Sequence, residues 1–291
     1  METLQLESDK GVHIALRVFA PTGPAHGNVV VASAMGVRQD FYTPFAQWLA
    51  SQGWRVTTFD YRGMGDSKPN TPHGGLQGFD ADLNDWARDY AHVVDHAHAA
   101  MPAAPLYLLG HSLGAQLPGL LPNAHKVSGL INIAAGSGYW RDNAPQLKRG
   151  VLPFWYLIVP LATRLCGYFP GKRLGIIGNV PAGVMLQWRK WCLNPEYSVG
   201  AEGEAVRRSY AQVRFPMVAL AMADDEMLTL RSVQSLLALY SNAPHVLRSV
   251  EPAEVNLRRI GHFGMFKEEQ LGRMWPQLQQ YLQQFSEGAF A

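Results

Sequence analysis

The most constraining stretch of this chain is Leu106-Tyr107-Leu108-Leu109-Gly110-His111-Ser112-Leu113-Gly114, an apolar run that ends in a serine set among glycines. Consecutive large apolar residues suit a strand covered on both faces, the usual situation of a parallel strand. Ala115-Gln116-Leu117, which follow, are compatible with a helix. A strand that turns at once into a helix lifts the serine hydroxyl above the sheet edge. At Gly110 and Gly114 a side chain would collide with the neighbouring strand or helix as the backbone folds back on itself. G-x-S-x-G alone is a weak pattern, and the strand before it and helix after it supply the context it needs.

Apolar runs alternate with helix-compatible segments on either side of this turn. Strands are predicted twice within residues 3–20, then at 28–32, 54–59, 106–109, 127–133, 216–222 and 245–250. Helices are predicted at residues 41–52, 80–100, 229–240 and 267–285, with a further one running from Ser112 towards Leu121 and kinked at Pro118. A loop rich in Gly and Pro follows Ser67. The alternation predicts an α/β fold with a mainly parallel, doubly wound sheet and right-handed crossovers. It stops at residues 137–201, which are rich in Pro and Gly and hold Trp140, Trp155, Trp188 and Trp191, four of the eight tryptophans. This segment is expected to be a helical cap inserted between two parts of one core, residues 1–136 and 202–291, with its ends on the side where the strands' carboxyl ends lie. Residues 151–169, interrupted by Pro153, Pro160 and Arg164, read as a broken surface element. No segment reaches the roughly 18 apolar residues of a membrane span.

Charged residues make up 16% of the chain, against an average of about 25%. A net charge of +2 offers no basic stripe for nucleic acid and no acidic tail. Cys166 and Cys192 are too few for a disulfide framework, and residues 1–7 carry no signal-peptide features, so a cytoplasmic location is expected. Gly63-Met64-Gly65 is too short for a dinucleotide fingerprint, and Gly171-Lys172-Arg173 lacks the strand and hydroxyl of a phosphate loop. His92 and His96, one helical turn apart beside Asp89, lack a glutamate base and a distant ligand and read as a solvated face. No cofactor and no metal are expected.

A serine hydroxyl is a poor nucleophile until an imidazole, itself oriented by a carboxylate, takes its proton. Both partners occur later in the chain, in the order acid then histidine. Ala223-Asp224-Asp225-Glu226 follows the strand at 216–222, and Ile260-Gly261-His262-Phe263-Gly264 sits ahead of the last helix. His111, beside the serine, is not read as the base, because the turn sends its neighbours in opposite directions; in motifs of this kind the position is a packing residue.

With these residues in view, the chain resembles the serine hydrolases of the α/β-hydrolase superfamily over nearly its whole length outside the insertion. Gly110-His111-Ser112-Leu113-Gly114 matches the superfamily's nucleophile turn, Asp60 to Ser67 resembles its D-x-R-G-x-G-x-S loop, and Gly261-His262-Phe263-Gly264 resembles its histidine loop. The resemblance implies Ser112 as nucleophile and His262 as general base. Its acid pattern, D-x-x-(V/L)-P, aligns with Asp225-Glu226-Met227-Leu228-Thr229, with Thr229 in place of proline. Asp225 is therefore preferred over Asp224, which reads as a loop carboxylate or a helix N-terminal charge. The expected oxyanion donors are the N–H groups of Leu113 and, from the loop after the third strand, Met35. There Ser33-Ala34-Met35-Gly36 stands where such families often carry His-Gly.

The expected function is cofactor-independent cleavage of a carboxylic ester through an acyl-enzyme on Ser112, with the aromatic insertion shaping a pocket for a hydrophobic acyl part. The partner is then a small apolar ester, with transient interfacial contact through the cap. A thioesterase or an acyltransferase would use the same residues, and a binding protein that keeps the fold without catalysis is the alternative of another class. Dehalogenase and epoxide hydrolase chemistry would need aspartate where Ser112 stands.

Overall fold

Side chains alternate across a strand, so a run such as Asn28-Val29-Val30-Val31-Ala32 is stable only where both faces of the sheet are covered. The computed structural model describes residues 1–69, 71 and 74–289, and there these valines divide between two separate cores. Val30, Leu108 and Ala219 face one core, and Val29, Leu109 and Val218 face the other. Each such valine or leucine contributes about 1.5–3 kcal/mol by leaving water.

The strands are β1 (Glu2–Asp9), β2 (Val12–Phe19), β3 (Asn28–Ala32), β4 (Arg55–Phe59), β5 (Leu106–His111), β6 (Gly129–Ile133), a short pair β7 (Tyr168–Phe169) and β8 (Val180–Pro181), then β9 (Met217–Met222) and β10 (His245–Val250). Eight of them form one sheet in the order β1-β2-β4-β3-β5-β6-β9-β10. Pairing is antiparallel at β1/β2 and β2/β4 and parallel from β4 to β10. Helices α1 (Thr43–Ser51) and α2 (Leu83–Ala100) cover opposite faces, Phe45 and Leu49 entering one core and Trp86, Tyr90 and Val94 the other. Asp82 starts α2 by accepting from the Asp85 N–H, while the Asp85 carboxylate accepts from the Asp82 N–H.

After β5 comes α3 (Leu113–Gln116), a single turn that passes into a 3-10 turn over Leu117–Leu120. Pro118 lies at its start, where the N–H it lacks would have been needed to continue an α-helix. Between β6 and β9 the chain is largely helical: α4 (Pro145–Pro153), a π-helical turn (Phe154–Ile158), α5 (Val159–Cys166), α6 (Gly171–Leu174), α7 (Ala182–Leu193), α8 (Tyr197–Glu202) and α9 (Glu204–Gln212). The expected broken element at residues 151–169 is instead helical as far as Cys166. Pro153 ends α4 and Pro160 lies in the first turn of α5, so the wide turn between them absorbs the missing N–H groups.

On the return, α10 (Leu230–Leu237) feeds the same core as α2, and α11 (Trp275–Ser286) packs with α1, Trp275 meeting Phe45 and Trp48. The last helix starts at Trp275 rather than at 267, because residues 264–270 are taken up by 3-10 turns and Pro276 pre-sets the helical start. Part of the expected Gly/Pro-rich loop, residues 70, 72 and 73, lies outside the described residues. Among the described residues no helix is long and apolar enough to cross a membrane.

Candidate active site

Ser112 is the residue between β5 and α3, and it holds a positive φ of 52°, a conformation that a side chain normally avoids. Three features over-determine it. The Ser112 N–H donates to the Ile133 carbonyl at 3.0 Å across to β6. A Cβ on Gly110 would lie 2.5 Å from Ala115 Cα, and one on Gly114 would lie 2.6 Å from the carbonyl carbon of Ala32. The backbone packs there because both positions lack a side chain.

His262 lies in the loop ahead of α11 and is 3% exposed. Its Nδ1 is 2.8 Å from Asp225 Oδ2, while Asp225 Oδ1 accepts from the N–H groups of Met227 at 2.7 Å and Leu228 at 3.0 Å. An ionised carboxylate only accepts, so the neutral imidazole bonded to it carries its proton on Nδ1. That leaves Nε2 unprotonated, the form a base requires.

The neighbouring carboxylates hold the same loop by other atoms. Asp224 accepts from Ile260 N–H at 2.8 Å and Gly261 N–H at 2.9 Å, and Glu226 accepts from His262 N–H at 3.2 Å. Arg259 pairs with Glu226 at 3.2 Å. Three successive acids at the end of β9 thus grip three successive residues, 260–262. Asp224, read from sequence as an ordinary loop carboxylate, is a loop anchor, and Glu226 was not singled out at all. The signal was present in the run of three acids directly after an apolar strand.

Ser112 and His262 line the same cavity, of about 430 Å³. Gln116, Asn143, Gln146 and Cys192 contribute to its wall, which is otherwise formed chiefly by apolar side chains of α4, the π-helical turn and residues 176–177. Gln116 is fixed from both ends, its amide NH2 donating to the Gly136 carbonyl at 2.8 Å and its oxygen accepting from the Tyr197 hydroxyl at 2.7 Å. Tyr197 in turn accepts from the Trp188 indole at 2.9 Å, which ties α7 to the turn after Ser112.

Leu113 opens α3 and is fully buried; Met35 is 4% exposed in the loop after β3. Among the described residues, neither backbone N–H has a protein acceptor. Buried N–H groups are normally paired, so two without an acceptor, one directly after Ser112 and one in the loop after β3, stand out. Gly178 N–H donates to the Gly36 carbonyl at 3.0 Å, holding the Met35 loop to residues 176–178.

His111 packs among Phe41, Phe263 and Phe266, but it is more than a packing residue. Its Nδ1 is 2.8 Å from the Tyr42 hydroxyl and its Nε2 is 3.0 Å from the His262 carbonyl. Burial, reinforced by the neighbouring His262, pushes its pKa down to about 3. Nothing in the sequence near Tyr42 marks it as a partner of the serine turn. Asp89, the carboxylate beside His92, is committed elsewhere: it receives the Arg62 guanidinium at 2.6 Å and the Ser8 hydroxyl at 2.6 Å.

A family model described as serine aminopeptidase, S33, matches residues 23–169, just over half of the chain. A monoacylglycerol lipase of Mycolicibacterium smegmatis is 32% identical over 104 residues, which are 36% of this chain and 35% of that protein. A lysophosphatidylserine lipase of Gallus gallus is 39% identical over 66 residues, 23% of this chain and 15% of that one. The matches therefore span about a third or less of these relatives. Among solved structures, a soluble variant of monoglyceride lipase from Saccharomyces cerevisiae superposes with a TM-score of 0.68 at 15% identity, covering 98% of this chain and 95% of that one. Est1E from Butyrivibrio proteoclasticus, with ferulic acid bound, superposes with a TM-score of 0.61 at 13% identity, covering 98% and 99%. At these identities the superpositions speak for the fold alone.

Proposed function

The chain belongs to the serine aminopeptidase S33 family of α/β-hydrolases, and from that membership we propose that it is a serine esterase, cleaving a carboxylic ester with an apolar acyl group through an acyl-enzyme on Ser112. One observation carries the reading: the cavity that holds Ser112 and His262 is walled chiefly by Val151, Phe154, Trp155, Ile158, Ile177 and Trp188. An acyl chain placed there leaves water, whereas the free α-ammonium of a peptide would be desolvated with no Asp or Glu among the described lining residues to pair it.

His262 Nε2 takes the proton as Ser112 Oγ attacks the ester carbon, and Asp225 steadies the imidazolium that forms. The N–H groups of Leu113 and Met35 receive the oxyanion. Collapse expels the alcohol with the proton from His262. Water, activated by the same nitrogen, then releases the acid. Residues 137–201 serve as the lid, since α4 and the π-helical turn line the cavity on their inner side. On their outer side, and on α5, Tyr156, Leu157, Leu161 and Leu165 are 62%, 63%, 51% and 73% exposed. Such a surface suits transient contact with aggregated substrate.

The test is hydrolysis of p-nitrophenyl esters of increasing chain length, alongside aminoacyl anilides. kcat/KM is expected to rise about fourfold for each methylene buried, following about 0.8 kcal/mol per CH2. Ser112→Ala should abolish both turnover and labelling by a fluorophosphonate. A sharp preference for acetate, or turnover of anilides without esters, overturns the proposal.

A further inference from the structure

The Met35 loop, the Ser112 turn and the His262 loop come from three distant parts of the chain, and one buried run of hydrogen bonds joins them. The Ala34 N–H donates to the Tyr42 hydroxyl at 3.0 Å, the Tyr42 hydroxyl meets His111 Nδ1 at 2.8 Å, and His111 Nε2 meets the His262 carbonyl at 3.0 Å. We propose that Tyr42 and His111 are positioning residues, a polar strut that sets the Met35 loop, the Ser112 turn and the His262 backbone at fixed distances from one another. The proposal rests on the reading of Ser112, His262 and Met35 given above.

The chemistry of the ends permits only one arrangement of protons. A backbone N–H can only donate, so Tyr42 Oη accepts from Ala34 and offers its own proton to His111 Nδ1. Nδ1 must then accept, and the ring's proton resides on Nε2, where the His262 carbonyl can only accept it. All four groups are satisfied at once. Tyr42, His111 and His262 are 1%, 0% and 3% exposed, so water cannot substitute for a lost partner.

The strut spans sequence separations of 8, 69 and 151 residues, and ties neighbours of all three functional positions: Ala34 precedes Met35, His111 precedes Ser112, and the carbonyl is that of His262 itself. The surrounding rings of Phe41, Phe263 and Phe266 fix the imidazole plane. A neutral ring is required throughout, because a proton on Nδ1 would break the bond from Tyr42. The strut touches no substrate. Its effect is on how well the oxyanion donors and the base are aligned once the transition state forms, so it should be felt in kcat and spared in KM.

Tyr42→Phe removes one oxygen and keeps the ring. Expected is a folded protein with KM for a p-nitrophenyl ester within twofold of wild type. kcat should fall about 10- to 100-fold, the scale of a displacement of up to 1 Å in a catalytic group. Affinity for a trifluoromethyl ketone, which mimics the oxyanion, should fall by the same factor. His111→Leu should lose at least as much, and His111→Gln, whose amide NH2 can again reach the His262 carbonyl, should recover several-fold over leucine. The rate of fluorophosphonate inactivation provides the same comparison without any choice of ester, and applies to whichever of these variants folds. Unchanged kcat and inactivation rate in folded Tyr42→Phe or His111→Leu overturn the strut, as does a loss confined to KM or a glutamine no better than leucine. A wild-type protein that no fluorophosphonate labels overturns the Ser112 reading instead, which separates the two failures.

Discussion

Replacing each of the two adjacent aspartates by asparagine should separate the acid that orients the base from the acid that holds its loop. In Asp225→Asn the Met227 and Leu228 N–H groups, at 2.7 and 3.0 Å from Oδ1, still demand an oxygen, so the amide carbonyl stays with them. The amide NH2 then takes the place of Oδ2, 2.8 Å from His262 Nδ1. A donor there forces Nδ1 to accept and moves the ring proton to Nε2, the nitrogen that receives the serine proton in the mechanism proposed above. A wrong tautomer of this kind lowers kcat by about 10⁴, or about 5 kcal/mol of transition-state stabilisation. Stability should change little, since two of the three bonds remain. In Asp224→Asn only one of the two N–H groups of Ile260 and Gly261, at 2.8 and 2.9 Å, keeps an acceptor and the other meets an NH2. The expected cost is about 1–3 kcal/mol in stability, with kcat reduced less than about tenfold because the Asp225 to His262 bond survives. The assays are kcat on a p-nitrophenyl ester and the urea midpoint, measured on both variants. If Asp224→Asn loses as much kcat as Asp225→Asn, or if Asp225→Asn keeps more than about a tenth of wild-type activity, the tautomer argument is refuted.

His111 makes stability sensitive to acid. Its folded pKa lies near 3 against an ordinary value of 6.5, so between those values the unfolded chain binds a proton that the folded protein refuses. Stability therefore falls as pH drops below 6.5, by about 2 kcal/mol at pH 5 from this group alone, a figure that stays the same for any folded value below about 4. In His111→Gln the term is gone, and the difference in urea stability between wild type and variant should narrow by that amount between pH 7.5 and pH 5; a constant difference would count against a neutral buried ring. Gly114→Ala should fail to fold or lose well over about 3 kcal/mol, because its Cβ would meet the backbone of Ala32, which cannot yield. Gly150→Ala, in α4 with nothing within 4 Å of its Cβ, should be tolerated in the same urea titration.

The fold was legible because burial on two faces writes itself into single strands. Val29-Val30-Val31 and Leu106 to Leu109 need no knowledge of distant residues to be recognised, since a continuous apolar run is what a doubly covered strand requires. Residues 151–169 were less transparent, because two prolines in an apolar stretch look like breaks. Only the π-helical turn over Phe154–Ile158 reconciles them with a helix, and no local propensity announces such a turn. The start of the last helix was misplaced for a related reason: 3-10 turns at residues 264–270 share the composition of a helix end.

At the site, what could be read from sequence was the residues whose neighbours are local, and what could not was those whose partners are remote. Ser112 is marked by glycines two positions away, and those glycines act on backbone within five residues or on the adjacent strand. Tyr42 carries no such mark, because its partner His111 is 69 residues further on. The three acids after β9 pose a different difficulty: all reach the same loop, and sequence cannot say which atom of it each will take. The structure separates them by function of the atom held, side-chain nitrogen for Asp225 and backbone N–H for Asp224 and Glu226. Backbone bonds set where the loop is, and the side-chain bond sets which nitrogen carries the proton. It follows that an acid moved from one of these positions to another cannot take over the vacated role. Asp224→Ala should therefore be rescued by no substitution at 225 or 226, and Asp225→Ala should leave the imidazole without its acceptor while Asp224 and Glu226 still hold residues 260–262, so that kcat on a p-nitrophenyl ester collapses in a protein whose loop stays in place.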